Sequence, residues 1–288
     1  MKKWDLLIIV TALNAQANEL CDKQNICTFD CAKTLNDSCT AVLNKDTKTL
    51  TITGYGDMKD YEWSCTPDCH NTADWGSYQH NIQKVVIENE SSSKTFDSIG
   101  VNAFEYMFNL QEVILPDGLK KIGSDAFHNA ILLEKINFPD SIEDIGVGAF
   151  STTGLSNVTL PKNLEKLDND VFGGTLIEKI TIPENITDIS TTAFIYGNHI
   201  TPIKKIYCEE SIKDQCEAAM EKQKEIDPNV SVITYKQNAD GSIFYNNHWY
   251  NSANDILMPN SHIKKRIYTI DEASKVSGNT NRVSIKYR

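Results

Sequence analysis

"FGGTLIEKITIPENITDISTTAF", residues 172–194, opens and closes on phenylalanine and holds an alternating run, Ile180-Thr181-Ile182, that stops at Pro183. Taken alone it is one strand and one loop. Taken with its neighbours it is one turn of something larger. Phe104, Phe127, Phe150, Phe172 and Phe194 are spaced by 23, 23, 22 and 22 residues, and Ala precedes each of them except Phe172, where Val171 stands instead. Pro116, Pro139, Pro161 and Pro183 keep the same beat and close "VILP", "INFP", "VTLP" and "ITIP". A second apolar pair follows each proline: Leu119 and Ile122, Ile142 and Ile145, Leu164 and Leu167, Ile186 and Ile189. A divergent fifth copy ends in "IKKIYCEE". Self-similarity at a fixed period of this size is the signature of a solenoid.

The physics of one turn follows from these residues. Alternation on a strand sends Ile180 and Ile182 inward and Lys179 and Thr181 outward. Proline ends the pairing because it has no N–H to donate. The return segment passes through the second apolar pair, and the Ala-Phe step places a ring in the core. One turn cannot bury its apolar face alone, so stability comes from stacking neighbours, about 4.8 Å apart.

The combined pattern, I-G-x-x-A-F followed by L-x-x-V-x-L-P-x-x-L-x-x-I, resembles the BspA-type leucine-rich repeat. Ile99-Gly100, Ile122-Gly123 and Ile145-Gly146 open three copies in that form, whereas Leu167-Asp168 and Ile189-Ser190 depart from it. "LTITGYGDMKDY" and "WGSYQHNIQKVVIE" upstream also resemble the segment that precedes the first repeat in this family. The resemblance runs from about Leu50 to Tyr207. It implies a leucine-rich-repeat solenoid of parallel β strands with irregular or short helical return segments, in a secreted or cell-surface protein of the adhesion or interaction type. It predicts fold better than ligand.

The flanks complete the expected organisation. "MKKW", the apolar run Leu6–Leu13 and Ala15-Gln16-Ala17 read as an export signal over residues 1–17, with a buried N-terminal strand as the competing reading. Residues 18–97 form a cysteine-rich cap, residues 98–216 about five repeats, and residues 217–288 a small α+β tail. Of the eight cysteines, Cys21, Cys27, Cys31, Cys39, Cys65 and Cys69 crowd the cap, where their pairing is open, and Cys208 and Cys216 are expected to pair locally. Zinc at Cys65, Cys69 and His70 competes with a disulfide, but no second ligand pair stands at finger spacing. In the tail, "CEESIKDQCEAAMEKQKEIDP" predicts a helix, Asp240-Gly241 a hairpin turn, and Thr269 with Glu272 the capping box of a further helix closed by Gly278. The tail is similar to C-terminal segments of some bacterial BspA-like proteins, which implies a bacterial source; a cap, a sorting signal and an attachment module all fit it. Asn36, Asn89, Asn157, Asn185 and Asn229 begin glycosylation sequons.

The formal net charge of −11 argues against nucleic acid as partner, and no run is long and apolar enough to span a bilayer. The chain has no nucleophile elbow, zinc-protease or phosphate-loop motif, and its six histidines share no metal spacing, so no enzyme, cofactor or resident metal is expected. The expected partners are extracellular or cell-surface proteins. The candidate binding face is the outward side of the strands, in two rows: Glu112, Lys135, Asn157, Lys179, Lys205, and Ile114, Asn137, Thr159, Thr181, Tyr207. A structural spacer whose tail makes the contacts is the alternative.

Overall fold

The computed structural model describes residues 21, 24–65, 69–237, 243–245 and 248–250. The expected export signal and the capping box at Thr269 lie outside them. Three antiparallel strands begin the fold: β1 (Ile26–Asp30), β2 (Ser38–Asn44) and β3 (Thr49–Asp57). A short ladder, β4 (Trp63–Cys65) with β5 (Cys69–Asn71), follows. Then come the parallel rungs β6 (Lys84–Asn89), β7 (Phe96–Ile99), β8 (Glu112–Ile114), β9 (Lys121–Ile122), β10 (Lys135–Ile136) and β11 (Asp144–Ile145). They stack as two ladders, β3-β6-β8-β10 and β3-β7-β9-β11. Both start from the same strand. The first half of β3 pairs with β6, its end pairs with β7, and the register shifts at Gly56, whose φ is +78°. The β1–β2–β3 meander thereby covers the open end of both ladders, which a solenoid needs because its terminal turn exposes core.

The second half holds β12 (Lys166–Leu167), β13 (Lys179–Ile182), β14 (Asp188–Ile189), the hairpin β15 (Ile195–Tyr196) and β16 (His199–Ile200), and β17 (Lys205–Glu209). One continuous helix was expected after Cys208. The chain instead makes a 3-10 turn and two short helices, α1 (Lys213–Ala219) and α2 (Glu221–Ile226), which meet at Met220. β18 (Ser231–Gln237) returns parallel to β17, and the hairpin strands β19 (Ile243–Tyr245) and β20 (His248–Tyr250) extend the sheet.

The core is a column of flat rings. Trp75, Phe104, Phe127, Phe150, Phe172 and Phe194 are all fully buried and stack at centroid distances of 5.7, 5.1, 5.2, 5.7 and 6.5 Å in that order. Trp75 begins the column and donates its indole N–H to Ala103 O at 3.0 Å. Two positions flank each of Phe104, Phe127, Phe150 and Phe172 in left-handed backbone. Asn102, Asp125, Gly148 and Asp170 stand two residues before a ring, and Tyr106, Asn129, Thr152 and Gly174 two after, all with φ between +53° and +68°. Asn, Asp and Gly are the residues that tolerate this region, so the first set is explained by its chemistry.

The strand ladders are less continuous than the core. β11 and β12 do not pair, and residues 156–160, where a strand was expected, form none. The residue after the return strand marks where the first gap falls. A Cβ on Gly123 would lie 2.6 Å from the Gly100 backbone carbon, and one on Gly146 2.5 Å from Ser124 N. The close approach lets Gly123 N–H reach Ile99 O and Gly146 N–H reach Ile122 O, both at 2.9 Å. Asp168 stands at the next such position, no such bond runs from 168 to 145, and its carboxylate takes Lys166 Nζ at 3.0 Å. A Cβ there does not by itself forbid the bond, since Ser190, one turn further on, donates its N–H to Leu167 O at 2.9 Å.

Disulfides join Cys21 to Cys27, Cys31 to Cys39 and Cys208 to Cys216; the last ties β17 to α1. The β4–β5 register sets Cys65 opposite Cys69. Thiol titration of the denatured protein is therefore expected to find no free cysteine, and a count of two would mean that Cys65 and Cys69 are not joined.

Candidate protein-binding face

Register, rather than sequence distance, assembles the outward face of the strands. Lys84, Glu112 and Lys135 stand side by side on β6, β8 and β10, and Thr49 and Asn44 continue their row across β3 and β2. Lys84 Nζ and Glu112 Oε2 form an ion pair at 2.8 Å. The neighbouring row runs Val42, Thr51, Val86, Ile114. Its first three members are half-buried and Ile114 is 38% exposed. Beside it Asn137 uses its side chain as a strand would use its backbone: Oδ1 accepts from Leu115 N–H at 2.8 Å, and Nδ2 donates to Leu115 O at 2.9 Å. Asn137 is thus structural as well as exposed.

The rows do not cross the molecule unbroken. Asn157 and Thr159 are exposed but sit on the unpaired 156–160 segment. Beyond it Lys179 and Lys205 stand opposite each other on β13 and β17, both exposed. Like charges at that separation repel. Lys135, Lys179 and Lys205 have no ion-pair partner among the described residues, although Lys204 bonds Glu178 at 2.6 Å beside them. Hydrogen bonding from Lys204 holds the Glu178 carboxyl below its usual range.

Two expected members of the face are not on its surface. Thr181 and Tyr207 are only 3% and 7% exposed. They face each other in register with Ile233 beyond. Tyr235 on β18, itself buried, crosses this side of the sheet and donates its hydroxyl to Ile182 O at 2.7 Å. Tyr207 therefore packs within the sheet and is not an exposed apolar anchor. Val42, Thr51, Val86 and Lys84 were missed by sequence reasoning. Their signal lay in the alternation of "CTAVLN", "TKTLTITG" and "QKVVIE", upstream of the phenylalanine count.

No group of three or more His, Cys, Asp or Glu residues is disposed to hold a metal ion among the described residues. No helix there is long and apolar enough to cross a membrane.

Residues 77–201 match the family model described as the BspA type leucine rich repeat region, in six copies. The match begins upstream of the five phenylalanines and takes in β6 and β7, while Trp75 lies just before it. Among solved structures, a leucine-rich repeat protein from Eubacterium ventriosum superposes with a TM-score of 0.52 at 20% identity, over 76% of this chain and 49% of that one. The leucine rich repeat protein of T. pallidum gives 0.43 at 18% identity, over 67% and 78%. A leucine rich cell surface protein from Faecalibacterium prausnitzii gives 0.36 at 21%, over 63% and 54%. The chain spans about half the length of the first of these. No curated protein matches it. The repeat region is of the BspA leucine-rich-repeat type, and its fold is that of the family.

Proposed function

We propose that this BspA-type leucine-rich repeat region serves as a secreted or cell-surface protein-binding module, and that its partner docks on the outward strand face. The observation that carries the reading is the juxtaposition of Lys179 with Lys205 in register, both exposed and without an anionic partner among the described residues. A chain of net charge −11 has carboxylates enough to neutralise them, yet leaves them free while pairing Lys204 with Glu178 alongside. Ile114 and the half-buried Val86 supply an apolar strip near Lys135. A partner with acidic residues around a small apolar contact fits this face, its charges steering approach and its apolar group adding contact. The disulfides in the cap and beside α1 support an oxidising compartment.

Reversing the three free lysines, Lys135→Glu with Lys179→Glu and Lys205→Glu, is expected to slow association with a cell-surface protein extract about tenfold at low salt and to flatten its salt dependence. The melting temperature should change little, because all three side chains are exposed. A folded triple variant that binds as fast as the parent would move the binding site off the strands, to the cap or the C-terminal tail.

A further inference from the structure

A second constellation lies in the turns that follow the core rings, apart from the strand rows. The residue after each phenylalanine occupies one column: Glu105, His128, Ser151, Gly173, Ile195. The side chains shrink in the middle of that column, and the β15–β16 hairpin folds back over the gap. A Cβ on Gly173 would lie 2.4 Å from the Ile195 backbone carbon. Over the small residues Tyr196 reaches His128, with ring centroids 4.8 Å apart and an edge-on geometry. Tyr106 meets the same imidazole at 5.4 Å.

The polar chemistry underneath is unbalanced. His128 Nδ1 meets Glu105 Oε1 at 3.1 Å, and Asn129 Nδ2 lies 3.0 Å from His128 Nε2. Asn129 in turn meets the Thr152 hydroxyl through Oδ1 at 2.5 Å, and that hydroxyl also lies 2.8 Å from Ser151 O. His128 thus meets Glu105 through Nδ1 and spends its other ring nitrogen on Asn129. Glu105 is 8% exposed, and its other oxygen, Oε2, is buried without a partner. Asp125 and Asp170 stand close by at the half-exposed rim, and no Lys or Arg pairs with any of the three carboxylates among the described residues. Burial raises the Asp125 carboxyl above its usual range; His128 opposes the shift, while Glu105 and Asp170 add to it. Burial likewise raises the Tyr196 hydroxyl, with Tyr106, Asp125, Glu105 and Asp170 adding to it, which places the Glu105 charge within reach of the hairpin ring. A buried carboxylate with an unmet oxygen calls for a cation.

We propose that this pocket binds an organic cation, a primary ammonium or guanidinium head, with Glu105 as its buried counter-ion, Asp125 and Asp170 at its rim and the Tyr106 and Tyr196 rings against it. The rings favour an organic head over a metal ion, since aromatic faces attract cations and contribute no ligand atom. Entry requires the β15–β16 hairpin to shift, and its turn at Gly197, with φ +55°, is the place where it can bend.

The test is calorimetric and NMR titration of the folded protein with methylammonium, methylguanidinium, capped tripeptides centred on Lys or Arg, and spermidine. At least one cationic head should saturate and shift the His128 and Tyr196 ring signals, while the neutral isostere ethanol does neither. Glu105→Gln keeps an acceptor for His128 but removes the charge, and should weaken binding about tenfold or more. Asp170→Asn and Tyr196→Ala, both at the rim, should weaken it several-fold and keep the question answerable if the Glu105 variant does not fold. Tighter binding of the tripeptides assigns the site to a protein side chain, and tighter binding of spermidine to a free amine. No saturation by any cationic head, or rim variants that bind as the parent does, overturns the proposal.

Discussion

Phe150→Ala is expected to lower the free energy of unfolding by about 3–5 kcal/mol, the range for emptying a buried ring site. Phe150 is stacked on both sides, 5.2 Å from Phe127 and 5.7 Å from Phe172, and Phe138 closes on its edge at 5.2 Å. The cavity would be walled by rings held in their own turns, so it cannot collapse. Phe194→Ala is the comparison. That ring is also fully buried, but it has one stacked neighbour, Phe172, at 6.5 Å. Its loss should be smaller by about 1–2 kcal/mol because the end of the column can relax. Urea titrations of both variants decide the matter: equal and small losses would mean that the ring column does not carry the core.

Gly123→Ala should cost about 1–3 kcal/mol although it adds a single methyl group. The methyl would sit 2.6 Å from both Gly100 C and Val101 N, backbone atoms that move only with their whole turn. The first effect is therefore on pairing between β7 and β9, and the amides of 123 and 146 should exchange faster. If Gly123→Ala leaves the melting curve and the amide pattern unchanged, close approach does not govern the ladders.

Much of this architecture was legible in the chain. The phenylalanine and proline beats located five rings and predicted a stacked solenoid, because a repeated core imposes the same residue at the same step. The first rung was harder to see, since Trp75 replaces phenylalanine and stands 29 residues before Phe104, a longer turn than the others. The departures at Asp168 and Ser190 were both visible as broken motifs, but pairing is lost only before the first, while Ser190 N–H still reaches Leu167 O at 2.9 Å, and that difference is a distance in space. Ile114, Lys135, Lys179 and Lys205 are exposed, as period-two alternation on their strands leads one to expect, whereas Thr181 and Tyr207 are buried. Period-two alternation says which way a side chain points. It cannot say that Tyr235, on a strand outside the repeat, lies across the same side. The Glu105–His128 pair was equally hidden, because the column after each ring varies from copy to copy where the core does not.

The missing pairing between β11 and β12, together with the unpaired 156–160 segment, leaves the two halves joined by the ring column and the turns around it, while their sheets end on either side. The turns cross the seam with backbone bonds, from Phe150 N–H to Val171 O at 3.0 Å and from Thr152 N–H to Gly173 O at 2.7 Å, so it lacks only the strand ladders that reinforce the other turns. A molecule anchored at one end and pulled at the other would yield first at this seam. It would part into an N-terminal block closed by the three-stranded meander and a C-terminal block closed by β17, β18 and their disulfide-tethered helix, each keeping its own sheet intact.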